Sequence, residues 1–96
     1  MAAYIVARVS VADPSLLKDY LNATPQIVEK YGGKFIARGG PTITLEGPEE
    51  TRRVVIIEFP SLADAETFYR SREYSQAKKL RADVAVAEFI AIDGIR

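Results

Sequence analysis

Hydrophobic positions along this chain change period repeatedly, and each change marks a predicted element. In residues 3–11, AYIVARVSV, the set Ala3, Ile5, Ala7, Val9 and Val11 falls on one face, and Tyr4, Val6, Arg8 and Ser10 on the other. This is a strand, apolar on both sides at its start, as in the middle of a sheet. From Pro14 to about Tyr31 the period lengthens. Leu17, Tyr20, Leu21, Thr24, Ile27, Val28 and Tyr31 recur at helical spacing. Asp13 suits the N-cap and Pro14 the first helical position. Pro25 lies inside the run and lacks a backbone donor, which predicts a kink or break near Leu21–Thr24. Gly32-Gly33 ends the helix, the first glycine as a left-handed cap.

Residues 34–38, KFIAR, are a short strand, and Gly39, Gly40 and Pro41 bend the chain. Residues 42–47, TITLEG, alternate as a strand or hairpin arm that stops at Gly47-Pro48. After a polar turn, residues 53–59, RVVIIEF, form a β-branched run that is apolar on both faces and reads as a central strand. Ser61 caps a second helix, with Asp64 as an acidic capping-box partner and Leu62, Ala65, Phe68 and Tyr69 as its inner face. Ser71 begins a further helical piece that places Tyr74, Ala77, Lys78 and Leu80 on one side. Residues 84–93, VAVAEFIAID, alternate again, and Gly94 closes them.

The order strand–helix–strand–strand–helix–strand predicts an α+β, ferredoxin-like βαββαβ fold: an antiparallel sheet with its helices on one face. The domain is single and spans residues 1–96. The open face of such a sheet would here be apolar, because Val54 and Ile56 lie on one side of the strand 53–59 and Val55, Ile57 and Phe59 on the other. A patch of that size is covered by association, and a two-fold pair of sheets, a homodimer, is the expected solution.

Composition narrows the chemistry. Thirteen basic residues balance thirteen acidic ones with no block of like charge, so a nucleic-acid or membrane-surface partner is not expected. There is no cysteine and no histidine. Disulfides, thiolate nucleophiles and the commonest metal and haem ligands are thereby excluded, and neither a metal nor a cofactor is expected. The opening residues lack the basic region and unbroken apolar core of a signal peptide, and no apolar run is long enough to span a bilayer; the expected setting is the cytoplasm.

The pieces AYIVARV, DP before the first helix, YGGKFIARGG, VVIIEFPS and FYRSREYSQAKKLR, taken together, resemble the DUF1330 family over almost the whole chain. The resemblance implies the dimeric α/β-barrel group of ferredoxin-like folds and a dimer. It implies no activity. Relatives in the wider group include small monooxygenases, isomerases and haem enzymes, an analogy at the level of the fold.

Within the limits of composition, Arg38 is the first candidate. Beside the bare backbone of Gly39 and Gly40 its guanidinium can clamp a carboxylate, phosphate or enolate oxygen. Equally, it can pair with Glu58 or Glu46 while the glycines supply positive φ. Glu58 is a carboxylate in an otherwise apolar strand: unpaired it would be a general base, and paired with Arg38 or Arg8 it would be structural. Tyr69 and Tyr74, and Tyr20 on the first helix, either turn a hydroxyl into a pocket or pack as core and rim aromatics. Residues 78–81, KKLR, read as a solvated helix face, and residues 46–50, EGPEE, as a surface turn without the oxygen spacing of a calcium loop.

Two functions fit. In one, a pocket between sheet and helices near Arg38 binds a small anion or carbonyl compound, lined also by Gly39, Gly40, Glu58, Tyr69 and Tyr74. Its enzymatic form is a cofactor-independent isomerase-like or monooxygenase-like reaction, with Arg38 stabilising an oxyanion and Glu58 or Tyr69 handling protons. In the alternative the chain is a non-catalytic metabolite-binding or protein-interaction module, with Arg38 and Glu58 as a structural ion pair.

Overall fold

The computed structural model describes residues 2–95. Four strands, β1 (Ala3–Val11), β2 (Lys34–Arg38), β3 (Arg53–Phe59) and β4 (Ala85–Asp93), form one antiparallel sheet in the order β2-β3-β1-β4. Three helices, α1 (Lys18–Lys30), α2 (Leu62–Arg70) and α3 (Arg72–Lys79), cover one face. This is the ferredoxin-like arrangement that the element order predicts.

Alternation sorts the side chains of the two central strands. Ala3, Ile5, Ala7 and Val9 of β1, with Ile57 and Phe59 of β3, are buried beneath the helices. Val28 of α1, Ala65 and Phe68 of α2 and Tyr74 of α3 complete that core. The other face carries Val6 between Ile56 and Ile90, and Tyr4 between Glu58 and Ile92. Ile90 and Ile92 are 57% and 55% exposed, so the open face is apolar, as the strand pattern requires.

The helix ends follow their sequence signals. Asp13 accepts from Ser15 N at 3.0 Å, although the turn that it starts, Pro14–Leu17, is a 3-10 turn and the α-helix proper begins at Lys18. Gly32 has φ +80, its N–H donates to Glu29 O, and Gly33 N–H donates to Val28 O. That pair of bonds is a Schellman cap. Ser61 accepts from Asp64 N at 3.1 Å. Between α2 and α3 one hydroxyl serves two helices: Ser71 Oγ donates to Phe68 O at 2.7 Å and accepts from Tyr74 N at 3.0 Å.

Three features depart from the sequence pattern. Pro25 lies inside α1, yet the helix runs unbroken through it. Residues 42–47 form no strand: Ile43 and Leu45 stand in solvent, and no strand pairs with them. Alternation is necessary for a strand but not sufficient, since the backbone must also find a ladder partner. The third is a register shift in β2 between Phe35 and Ala37. The extra residue puts Phe35 opposite Ile57 and Arg38 opposite Val55, so both face the helices.

Candidate functional site

The β2 bulge decides where Arg38 points. In unbroken alternation Arg38 would share the face of Lys34, which lies opposite Glu58. The bulge turns it to the helix side instead. There its Nη2 donates to Leu21 O at 2.7 Å and to Thr24 Oγ1 at 3.1 Å, and its guanidinium stacks 4.3 Å from the Phe35 ring centroid. Leu21 O is the carbonyl four residues before Pro25, the one that the proline leaves without a helical donor. Arg38 therefore replaces the missing N–H, and the expected break in α1 does not occur.

The Arg38–Glu58 pair does not form, and neither does an Arg38–Glu46 pair. Glu58 sits on the open face, 3.9 Å from Lys34 Nζ and opposite Tyr4 in register. The alternative that made Arg38 and Glu58 a structural ion pair is thereby corrected, because the two side chains leave opposite faces of the sheet. Arg8 pairs with Glu50 at 3.2 Å, and Arg52 binds the same carboxylate and Glu88.

Arg38 keeps unused capacity. A guanidinium has five N–H donors, and among the described residues the Nε–H and Nη1–H groups of Arg38 donate to no protein atom. Beside it lies a second arginine. Arg53 Nη2 donates to Arg38 O at 3.3 Å, and its guanidinium covers Gly39 so closely that a Cβ there would lie 2.2 Å from Nη1. Gly39 also has φ +76, so glycine is required twice over. Neither arginine has a carboxylate within salt-bridge distance among the described residues. Burial, then repulsion from Arg53, pulls the Arg38 pKa down from its ordinary value, with Tyr20 opposing. Arg38 remains a cation at neutral pH.

Arg53 lines an open groove of about 550 Å³ whose walls also include Val9, Leu17, Leu21, Gly39, Gly40 and Arg52, and Arg38 adjoins it through its hydrogen bond to Leu21 O. The partners of Arg38 border deeper space. Thr24 and Phe35, its hydrogen-bond and stacking partners, line a cavity of about 30 Å³ together with Tyr20, Val55, Tyr74 and Phe89. That volume holds one or two water-sized atoms and no more.

The other candidates scatter. Tyr74 is buried in the core, its hydroxyl 2.7 Å from Tyr20 Oη. Burial, then Tyr20, raises its pKa far above the ordinary tyrosine value, so it stays neutral. Tyr69 faces the other end of the sheet, in a groove between α2 and β4 that Leu62, Glu66, Phe89 and Ile90 also line, and its hydroxyl accepts from Lys78 Nζ at 3.0 Å. Thus the structure brings Arg38, Gly39 and Gly40 together, packs Tyr69 on Tyr74 with ring centroids 5.2 Å apart outside the Arg53 groove, and sets Glu58 on the opposite face of the sheet.

Sequence reasoning missed Arg53 and Arg81. Arg81 belongs to the stretch expected to be a solvated helix face, yet it is 5% exposed. Its Nη2 donates to Tyr74 Oη at 3.2 Å, and its guanidinium lies 5.4 Å from the Tyr20 ring centroid and 5.3 Å from that of Phe89. The signal was available: Arg81 follows Tyr74 by seven residues and Ala77 by four, so it shares their face.

The family described as Domain of unknown function (DUF1330) matches residues 2–95, nearly all of the chain. The chain belongs to this family. No curated protein matches it. Among solved structures, this DUF1330 chain is similar to the RPA0582 protein of unknown function from Rhodopseudomonas palustris, at 25% identity and TM-score 0.73 over 99% of this chain and 83% of that one. It is similar in fold to SnoaB, a cofactor-independent oxygenase from Streptomyces nogalater, at 12% identity and TM-score 0.70 over 99% of this chain and 94% of that one. A third similar structure is a dimeric protein of unknown function and ferredoxin-like fold from Bacteroides fragilis, at 14% identity and TM-score 0.58 over 97% and 96% of the two chains. Among the described residues no helix is long and apolar enough to cross a membrane.

Proposed function

We propose that this DUF1330 domain binds a small ligand with an anionic or carbonyl oxygen and an apolar body, in the groove beside Arg38. The observation that carries this reading is the pair of adjoining arginines, Arg38 and Arg53, with no carboxylate to balance them and with free N–H donors on Arg38. Leu17, Leu21 and Val9 supply the apolar wall, and the bare Gly40 leaves room for close approach. Binding rather than catalysis is favoured, because Glu58 and Tyr69, the candidate proton-handling groups, lie away from this groove.

Calorimetric titration with benzoate and with inorganic phosphate tests the site, using wild type and Arg53→Gln. At least one probe is expected to bind wild type saturably, and at least tenfold more weakly to the variant, a loss of about 1.4 kcal/mol. No saturable binding of either probe up to about 10 mM would overturn the proposal.

We also infer that two copies pair through the open face of the sheet. Val6, Ile56, Ile90 and Ile92 form an apolar surface there. The fold neighbour from Bacteroides fragilis is dimeric, which supports the same reading.

A further inference from the structure

Arg81 is a buried cation with no carboxylate partner among the described residues, and its Nε is also without a hydrogen-bond partner. A charge held this way is costly unless the field that it creates is used or balanced. Its hydrogen bond leads inward along three side chains, Arg81, Tyr74 and Tyr20, and its guanidinium also lies 5.4 Å from the Tyr20 ring centroid.

The direction of that chain follows from proton counting. Arginine can only donate, so Tyr74 Oη accepts from Arg81 Nη2. Tyr74 is 1% exposed, and its own proton needs an acceptor. The Tyr20 oxygen, 2.7 Å away, is the acceptor present among the described residues. Tyr74 therefore donates to Tyr20, and the Tyr20 proton is left over. No described residue accepts it.

Tyr20 is only partly buried, and it lies on α1 one turn before Thr24, which Arg38 holds. Tyr20 and Thr24 both line the small cavity, whose room matches one ligand oxygen or one water. A donor fed by a fixed buried cation is thus left without an acceptor among the described residues, one turn from the Thr24 that Arg38 holds.

We propose that Tyr20 Oη–H is a second donor to the ligand's carbonyl or carboxylate oxygen, in the small cavity that Tyr20 and Thr24 line, and that Arg81, acting through Tyr74, is a positioning residue that polarises it. This rests on the Arg38 groove being a ligand site. The relay sets the ligand class: an oxygen acceptor is required at the buried end, so a compound that ends in an ammonium is disfavoured by the Tyr20 donor and the neighbouring arginine charge.

The test is a double-mutant cycle on benzoate affinity with the full-length protein. Tyr20→Phe keeps the ring and removes only the hydroxyl; it is expected to weaken benzoate about tenfold. Arg81→Met and Tyr74→Phe are each expected to weaken benzoate several-fold in the wild-type background and to have no further effect in Tyr20→Phe. Carboxyl-¹³C benzoate gives a second readout: its bound shift is expected to move in Tyr20→Phe and to move the same way in Tyr74→Phe. If Arg81→Met does not fold, Tyr74→Phe breaks the same relay and decides the matter. Unchanged benzoate affinity and shift in Tyr20→Phe, with binding still lost in Arg53→Gln, overturns the relay and leaves the groove standing. Additive losses across the cycle overturn the role of Arg81 and Tyr74. Failure of wild type to bind benzoate or phosphate overturns the groove itself, and the relay with it.

Discussion

Arg38 donates to the carbonyl of Leu21, the acceptor that Pro25 strips of its helical partner. A side chain from β2 thereby completes the hydrogen bonding of α1. The arginine that mends the helix adjoins the proposed ligand groove through Leu21, so its position is fixed without a ligand.

That relationship predicts a compensating pair. Arg38→Met keeps apolar contact with Phe35 but leaves Leu21 O and Thr24 Oγ1 without their donor, and is expected to cost about 1–3 kcal/mol. Pro25→Ala restores an N–H to Leu21 O. In that background the Arg38→Met penalty is expected to shrink by about half or more, measured by urea unfolding. Equal penalties in both backgrounds would show that the carbonyl is not what Arg38 serves.

Gly39→Ala is expected to destabilise the fold by about 1–2 kcal/mol from its positive φ alone, and to displace the Arg53 guanidinium as well. Gly40→Ala meets open space and is expected to be nearly silent on stability. Thermal unfolding of the two variants side by side checks the contrast.

Acid stability follows from Glu73. Its carboxylate is held by Lys30 Nζ and by Tyr31 Oη at 2.9 Å, and these bonds, that to Lys30 first, lower its pKa from the ordinary 4.5 to about 2. Below pH 4.5 the unfolded chain takes up this proton before the folded one does, so stability falls as the pH drops toward 2. The carboxylate is solvent-exposed, so the effect is modest and salt-sensitive. Glu73→Gln is expected to flatten that part of the stability–pH curve; a curve identical to wild type would remove Glu73 from the account.

The open face gives a prediction on assembly. Ile90→Glu places a charge beside Val6 at the centre of the exposed apolar surface and is expected to yield monomer in sedimentation velocity, where wild type is expected to sediment as a dimer. Wild type sedimenting as a monomer at micromolar concentration would overturn the pairing.

The fold was largely legible because it rests on period and punctuation. The two-sided apolar runs of β1 and β3, the double glycine after Tyr31, and Ser61 and Ser71 each have one local meaning. The site was legible only in part. Arg38 with Gly39 and Gly40 stood out, but the partner of Arg38 depends on the β2 bulge, and no residue type signals an extra position there. Pro25 correctly announced an orphaned carbonyl; what a sequence does not show is a donor arriving from thirteen residues further along the chain. The alternation in residues 42–47 misled because strand formation depends on a neighbour as well as on pattern. Arg81 was hidden by its lysine neighbours, although its spacing from Tyr74 placed it inward.

The β2 bulge makes the groove a matter of counting as much as of composition. Pairing the same residues without the bulge would leave every side chain type in place and reverse the arginine from the helix side to the side where two copies would meet. Leu21 O would lose its donor, the groove its cation, and the apolar face would gain a charge, all in one step. The irregular pairing of this short strand, rather than the residue types along it, is therefore what holds the arginine on the helix side.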